Sequence, residues 1–258
     1  MTRGETWSHR LLSDARRSSE YPDSLRVVDG SIESEPYRTI TIVADPLGRF
    51  PRARAGEVGL DEGLALADAV RATERERSIV AIVDLPGQAF GRREEAAGIH
   101  LSLAAAADAY ATERRSGRQI FALLVGKAIS GGFLAHGLQA GWIGALEDPG
   151  VEVHVMPAAS VARVTRSSPQ EVARVATVVP ATARDVRTFA EFGAIDELFA
   201  VRDAGDPTHA EIATVREAIA RARAAALGLR APVERLNAPA AGTRSLAREV
   251  RRRIAEAW

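Results

Sequence analysis

The chemistry-bearing stretch of this chain is Lys127-Ala-Ile-Ser130-Gly131-Gly132-Phe133, which follows the apolar run Ile120-Phe-Ala-Leu-Leu-Val-Gly126. The run reads as a strand buried on both faces and ended by Gly126. Phe133, Leu134 and Leu138 then have the spacing of one helix face, with a helix end near Gly141. Between the two lies Ser130-Gly131-Gly132, where main-chain amides are expected uncovered at the start of a helix. Such amides lack internal partners and carry the positive end of the helix dipole. Glycines there let a substrate oxygen approach closely. The pattern is that of an oxyanion hole made without side chains.

A second strand-to-loop-to-helix unit precedes it. Ile79-Val-Ala-Ile-Val83 is a buried strand, Asp84-Leu-Pro-Gly87 stops it, and Gln88-Ala-Phe-Gly91-Arg92-Arg93-Glu-Glu95 leads into a helix. In an α/β core both glycine loops lie at strand C-termini, where ligands bind. One such loop alone is explained by tight turns; two in tandem favour function. Arg92, Arg93 and Lys127 lie where a carboxylate-bearing substrate would pass.

Competing motifs fare worse. A phosphate loop would need glycine at Phe121 and Ser or Thr at Ala128, so Gly126-Lys127 is not one. Ala128-Ile-Ser130-Gly-Gly132 resembles a nucleophile elbow, with Asp196 and His209 as the other members of a serine-hydrolase triad. His209 sits in a helix cap, which counts against that reading. The histidines His9, His100, His136, His154 and His209 have no metal-ligand spacing, so no metal is expected. His136 is the one considered for chemistry, with packing or capping as the favoured role.

The elements that position these loops alternate. Arg38-Thr-Ile-Thr-Ile-Val-Ala44 reads as a strand. Asp61-Glu62 open a helix with Leu60, Leu64, Ala67 and Val70 on one face, and an alanine-rich helix runs to Arg115, its Ala104–Ala107 run suited to close packing. Trp142–Leu146 and Val151–Met156 are further short strands. Beyond Pro157 the chain reads as helical: Ser168-Pro169 starts one helix, and Thr208 with Glu211 forms a capping box for another that ends at Gly228. The expected organisation is a weakly ordered segment over 1–24, an α/β domain over 25–228, and a linker with a C-terminal helix bearing Leu246, Val250 and Ile254 over 229–258.

The 34 basic and 34 acidic side chains cancel, so no global field points to nucleic acid or an anionic membrane. Arg251-Arg252-Arg253 reads as a solvated helix end. The absence of cysteine excludes disulfides and thiolate catalysis. No apolar run is long enough for a membrane span and no signal peptide is evident, so the expected location is cytoplasmic.

Val83-Asp84-Leu-Pro86-Gly87-Gln88-Ala-Phe-Gly91-Arg-Arg-Glu94-Glu95-Ala-Ala-Gly98-Ile99 resembles the D-x-P-G-x-x-x-G … (Q/E)-E-x-x-G-I stretch of acyl-CoA carboxyltransferases, and Lys127-Ala-Ile-Ser-Gly-Gly-Phe133 resembles their K-A-Y-G-G-A-Y motif. Val153-His-Val-Met156 is similar to a later A-V-M strand. The resemblance implies a crotonase-like (ClpP/crotonase) fold, a spiral of ββα units with a helical C-terminal extension. Within that branch, Pro-Gly-Gln-Ala-Phe-Gly-Arg-Arg-Glu-Glu and Ala-Ile-Ser-Gly-Gly-Phe-Leu-Ala-His-Gly resemble the malonate decarboxylase gamma-subunit family. That family implies a carboxy-lyase active only in complex: a heterodimer with a homologous beta subunit and an acyl-carrier subunit bearing a CoA-derived arm, converting malonyl thioester to acetyl thioester and CO2. No cofactor is expected on this chain itself. By the same resemblance Gly131 and Gly132 supply an oxyanion donor, Ser130 and Gln88 are polar positioners, and Gly87 to Gly91 form the facing loop; Lys127 and Arg92 are assigned to substrate binding by their position alone. Ser130 departs from the family's usual glycine, and Ile129 and Phe133 from its tyrosines. The alternatives are a carboxyltransferase subunit of a biotin-dependent enzyme and a non-catalytic scaffold for the beta partner.

Overall fold

The computed structural model describes residues 1–179, 182–237 and 245–258. Part of the linker expected at the start of 229–258 therefore lies outside the described residues, and its described part holds a short helix, Pro232–Asn237. One sheet organises the rest. β1 (Ser13–Arg17), β2 (Leu25–Ile32) and β3 (Glu35–Ile42) pair antiparallel. β4 (Ser78–Leu85), β5 (Ile120–Ile129) and β6 (Trp142–Glu147) then continue parallel from β3; β7 (Glu152–His154) pairs with the far end of β5, and β8 (Glu197–Ala200) closes the edge beside β6. The helices are α1 (Arg3–Arg10), α2 (Leu60–Arg71), α3 (Arg92–Ala96), α4 (Ile99–Arg115), α5 (Ser130–Ala135), α6 (Ala158–Thr165), α7 (Pro169–Ala176), α8 (Val186–Glu191), α9 (His209–Ala224), α10 (Pro232–Asn237) and α11 (Ser245–Ala257). Crossovers through α2 and then α3–α4 join β3, β4 and β5, as parallel neighbours require.

β5 is the axis. Residues 120–126 and Ala128 are buried, as their unbroken apolar run implies. Its first half pairs with β6, from Phe121↔Trp142 to Leu124↔Ala145, and its second half with β7, from Lys127↔Glu152 to Ile129↔His154. The strand thus runs three residues past Gly126, against the expectation that glycine ends it. Gly126 is needed for another reason: a Cβ there would sit 1.9 Å from Asp84 Oδ1. Asp84 at the end of β4 folds across it and accepts from Lys127 N at 3.1 Å.

The N-terminal segment is ordered, contrary to expectation. Thr2 and Glu5 close a capping box on α1, Trp7 is fully buried, and its indole Nε1 donates to Ala204 O at 2.9 Å. A short, mostly polar segment hides this because its order comes from long-range contacts and not from its own periodicity. α5 stops at Ala135, well short of Gly141, and leaves Leu134 exposed; Leu64 on α2 is exposed as well. Close packing of α2 on α4 runs through Gly63 and Ser102, since a Cβ on Gly63 would lie 2.2 Å from Ser102 Oγ; of Ala104–Ala107 only Ala106 is fully buried. β7 ends at His154, not Met156, and β8 interrupts the stretch read as helical. Gly228 lies beyond the end of α9, packed on Gly141. The helix starts at Ser168 and at Thr208 with Glu211 are capped as read from sequence.

Candidate active site at the glycine turn

Strand β5 delivers the chain into Ser130 at φ +55°, the left-handed region, and α5 begins there. A non-glycine residue in that region is strained by about 1–3 kcal/mol and is held by its surroundings. What holds it is the β4 loop. A Cβ on Gly132 would lie 2.4 Å from Gly87 O, so the two glycine loops are in main-chain contact. Gly87, at φ +130°, lies over Ile129 and Ser130: a Cβ there would stand 3.7 Å from Ile129 Cγ2. The loop is fixed from behind, because Val58 N donates to Gly87 O at 3.0 Å and Ala89 N donates to Val58 O at 2.9 Å.

The decisive contact is a side chain seated on a turn amide. Gly131 N donates to Gln88 Oε1 at 2.8 Å, half-buried. The amide expected to be bare is therefore already paired, by a neutral carbonyl oxygen. Gly132 N is the third amide of the first helical turn and has no i−4 partner inside the helix. With six residues, α5 brings only a small dipole to the turn.

The structure thus brings together Gly87, Gln88, Ser130, Gly131 and Gly132. The other residues read as substrate-binding are placed differently. Gly91, at φ +152°, caps α3; a Cβ there would meet Glu94 Oε2 at 2.6 Å and Arg52 Nε at 3.9 Å. Arg92 is the first residue of α3 and exposed, and Lys127 projects from β5 into solvent. Phe90, beside Gln88, is 65% exposed, an apolar ring on the rim of the turn. Asp84 at the back of the turn went unassigned in the sequence beyond stopping a strand; Gly126 was its signal.

Neither histidine reading yields chemistry. His136 is fully buried: its Nε2 lies 3.3 Å from Ile82 O, and Tyr110 Oη lies 2.9 Å from Nδ1. Burial pushes its pKa down to about 4 and keeps it neutral. With Nε2–H donating to the carbonyl, Nδ1 accepts from the tyrosine hydroxyl. The serine-hydrolase triad is not assembled. Ser130 has a positive φ, but Asp196 accepts from Ile143 N and pairs with Arg230, and His209 lies in the first turn of α9. A cavity of about 550 Å³ lies elsewhere, walled by Glu147, Glu152, Val172, Arg184 and Arg187, and none of the glycine-turn residues lines it.

The family model for the malonate decarboxylase gamma subunit matches residues 53–258. The chain belongs to the malonate decarboxylase gamma-subunit family. Its backbone is similar to a chain of a Pseudomonas malonate decarboxylase hetero-tetramer solved with coenzyme A, at 45% identity and TM-score 0.90, covering all of both chains. It is similar at 42% identity and TM-score 0.86, again over all of both chains, to a chain of the Pseudomonas MdcD-MdcE hetero-dimer. A further relative is the malonyl-S-ACP:biotin-protein carboxyltransferase MADD of Malonomonas rubra, 36% identical over 160 residues, which are 58% of this chain and 55% of that protein. The chain thus spans about half the length of that relative. The fold is the crotonase-like one that the two glycine motifs implied.

Proposed function

We propose that this chain is the gamma-type half of a decarboxylase whose other half is a homologous beta subunit. The pair would convert a malonyl thioester on an acyl-carrier subunit to the acetyl thioester and CO2. One observation carries the reading: end-to-end likeness to a chain of a malonate decarboxylase hetero-tetramer. The CoA-derived arm belongs to the carrier and enters as substrate. No described helix is long and apolar enough to cross a membrane, and the reading places the complex in the cytoplasm.

Decarboxylation breaks the bond between C2 and the carboxylate. Its electron pair flows onto the thioester oxygen, CO2 leaves, and C2 later takes a proton. The cost is charge on that oxygen, which preorganised amides offset; one such donor contributes ~3–4 kcal/mol. In this chain the donors are Gly131 N and Gly132 N, and Gln88 guards the first. An acyl oxygen reaches Gly131 N only when the Gln88 carboxamide turns aside. Since Val58 brackets the Gln88 main chain on both sides, that movement is one of the side chain alone. Ser130 positions the turn through its left-handed backbone. Lys127 and Arg92 supply exposed positive charge for a carboxylate on approach.

The likeness to a biotin-protein carboxyltransferase favours a second reading, a subunit that hands CO2 to biotin. Carbon dioxide release by the mixed beta and gamma subunits on malonyl-carrier, with and without avidin, separates the two. Release unaffected by avidin is the expected result; loss of release on adding avidin overturns the biotin-independent reading.

A further inference from the structure

His154 is the last residue of β7 and pairs with Ile129, the residue before the strained Ser130. Residues paired side by side in adjacent strands stand on the same face of a sheet. The Ile129 side chain packs toward Gly87, so the imidazole shares the face on which the two glycine loops meet.

The bonds around the ring settle where its proton lies. Arg184 Nη2 is 2.7 Å from His154 Nε2 and also donates to Glu152 Oε2 at 2.8 Å. A guanidinium has only donors, so Nε2 must accept. Burial and the Arg184 charge both push the imidazole pKa down, with Glu152 and the Met156 main chain acting in the other direction. The ring is therefore neutral with its hydrogen on Nδ1, and the 3.2 Å approach of Glu152 Oε2 to Nε2 is not a hydrogen bond. Nδ1 itself is buried and meets no partner at hydrogen-bond geometry, the Met156 main chain lying near the ring without closing on it. The residue is 9% exposed, and a buried donor left unpaired is destabilising. No hydrophobic gain requires a histidine there. The ladder with β5 ends at His154, and the next two residues, Val155 and Met156, stand exposed.

We propose that His154 Nδ1–H is a neutral, tautomer-locked hydrogen-bond donor for an anionic oxygen of the acyl group handled at the glycine turn, with Arg184 as the positioning residue that keeps the hydrogen on Nδ1. The proposal rests on the decarboxylase reading for the identity of that oxygen, a malonyl carboxylate or the enolate that follows it. A neutral imidazole suits this role, since it donates without surrendering its proton to the oxygen it stabilises.

The test uses the assembled beta–gamma complex and malonyl-carrier. His154→Asn keeps an N–H close to the Nδ1 position and loses the group bonded to Arg184; His154→Gln does the reverse. With complex formation verified, Asn is expected to retain most of the turnover and Gln to lose on the order of 100-fold in kcat, the loss typical of a donor to a developing oxyanion. Gln equal to or better than Asn overturns the proposal, because the bond to Arg184 would then be what matters. A second arm needs no substitution. In the wild-type complex carrying 15N-labelled histidine, His154 should show the Nδ1–H tautomer, and its Nδ1 signal should move when malonyl-CoA is added. An Nε2–H tautomer, or a signal indifferent to malonyl-CoA, overturns it. A wild-type complex that fails to release CO2 counts against the decarboxylase reading and leaves the tautomer arm to decide this one.

Discussion

Gln88 and His136 show how single side chains set this site. The Gln88 carboxamide oxygen is the sole hydrogen-bond partner shown for Gly131 N, so Gln88→Ala should leave a half-buried N–H unpaired. One such bond is worth about 1 kcal/mol net, which in a chain of this size lowers the melting temperature by about 2–4 °C. Gln88→Glu keeps an acceptor in place and should hold the wild-type value; equal melting for all three would show that the bond is not formed in solution. His136 has a clear sign. Its folded pKa lies near 4, below the ordinary 6.5, so the unfolded chain binds the extra proton first. The contribution is fully present above 6.5 and is lost as pH falls toward 4, by up to about 1.4 kcal/mol per pH unit. Denaturant titrations across that window should show a steeper loss for wild type than for His136→Gln; parallel curves would contradict the buried neutral ring.

At the scale of elements, the parallel pairing of β4 and β5 fixes the geometry of the turn. Gly126→Ala drives a methyl into the Asp84 carboxylate. Overpacking of this kind costs about 1–3 kcal/mol. Chemical denaturation should show that loss, and removal of the carboxylate in Gly126→Ala with Asp84→Ala should recover part of it, since contacting sites couple. Additive losses would show that Asp84 does not fill the space above Gly126. The same elements show what a sequence discloses. The buried runs of β4 and β5, the caps at Ser168 and Thr208, and the two glycine loops were legible because each is local in the chain. Where β5 ends was not, because its continuation depends on β7 pairing 25 residues later in register, Ile129 with His154. The order of the N-terminal segment was hidden for the same reason: the partner of Trp7 is the carbonyl of Ala204. Glycine spacing brought Gln88 and Ser130–Gly132 to notice, yet nothing local announces that the Gln88 oxygen closes on Gly131 N. Arg184 and Glu152 carried no motif at all.

On the scale of the whole molecule, the charges balance, and Phe90 and Leu134, each close in the chain to one of the glycine loops, stand exposed. The expected amphipathic C-terminal helix is present as α11, with Leu246, Val250 and Ile254 exposed on one side and Arg252 and Arg253 paired with Glu249 on another. On the proposed reading this chain supplies half of the site, and its turn meets a thioester only when the beta subunit is in place. The most direct measurement is turnover of malonyl-carrier by a complex built with Gly131→Val. A Cβ at that position would lie 3.1 Å from Gln88 Cδ, so the branched side chain crowds the carboxamide that closes the turn. The complex should still assemble while CO2 release falls on the order of 100-fold; full activity would mean that the turn takes no part in the reaction and the chain serves its partner as a scaffold.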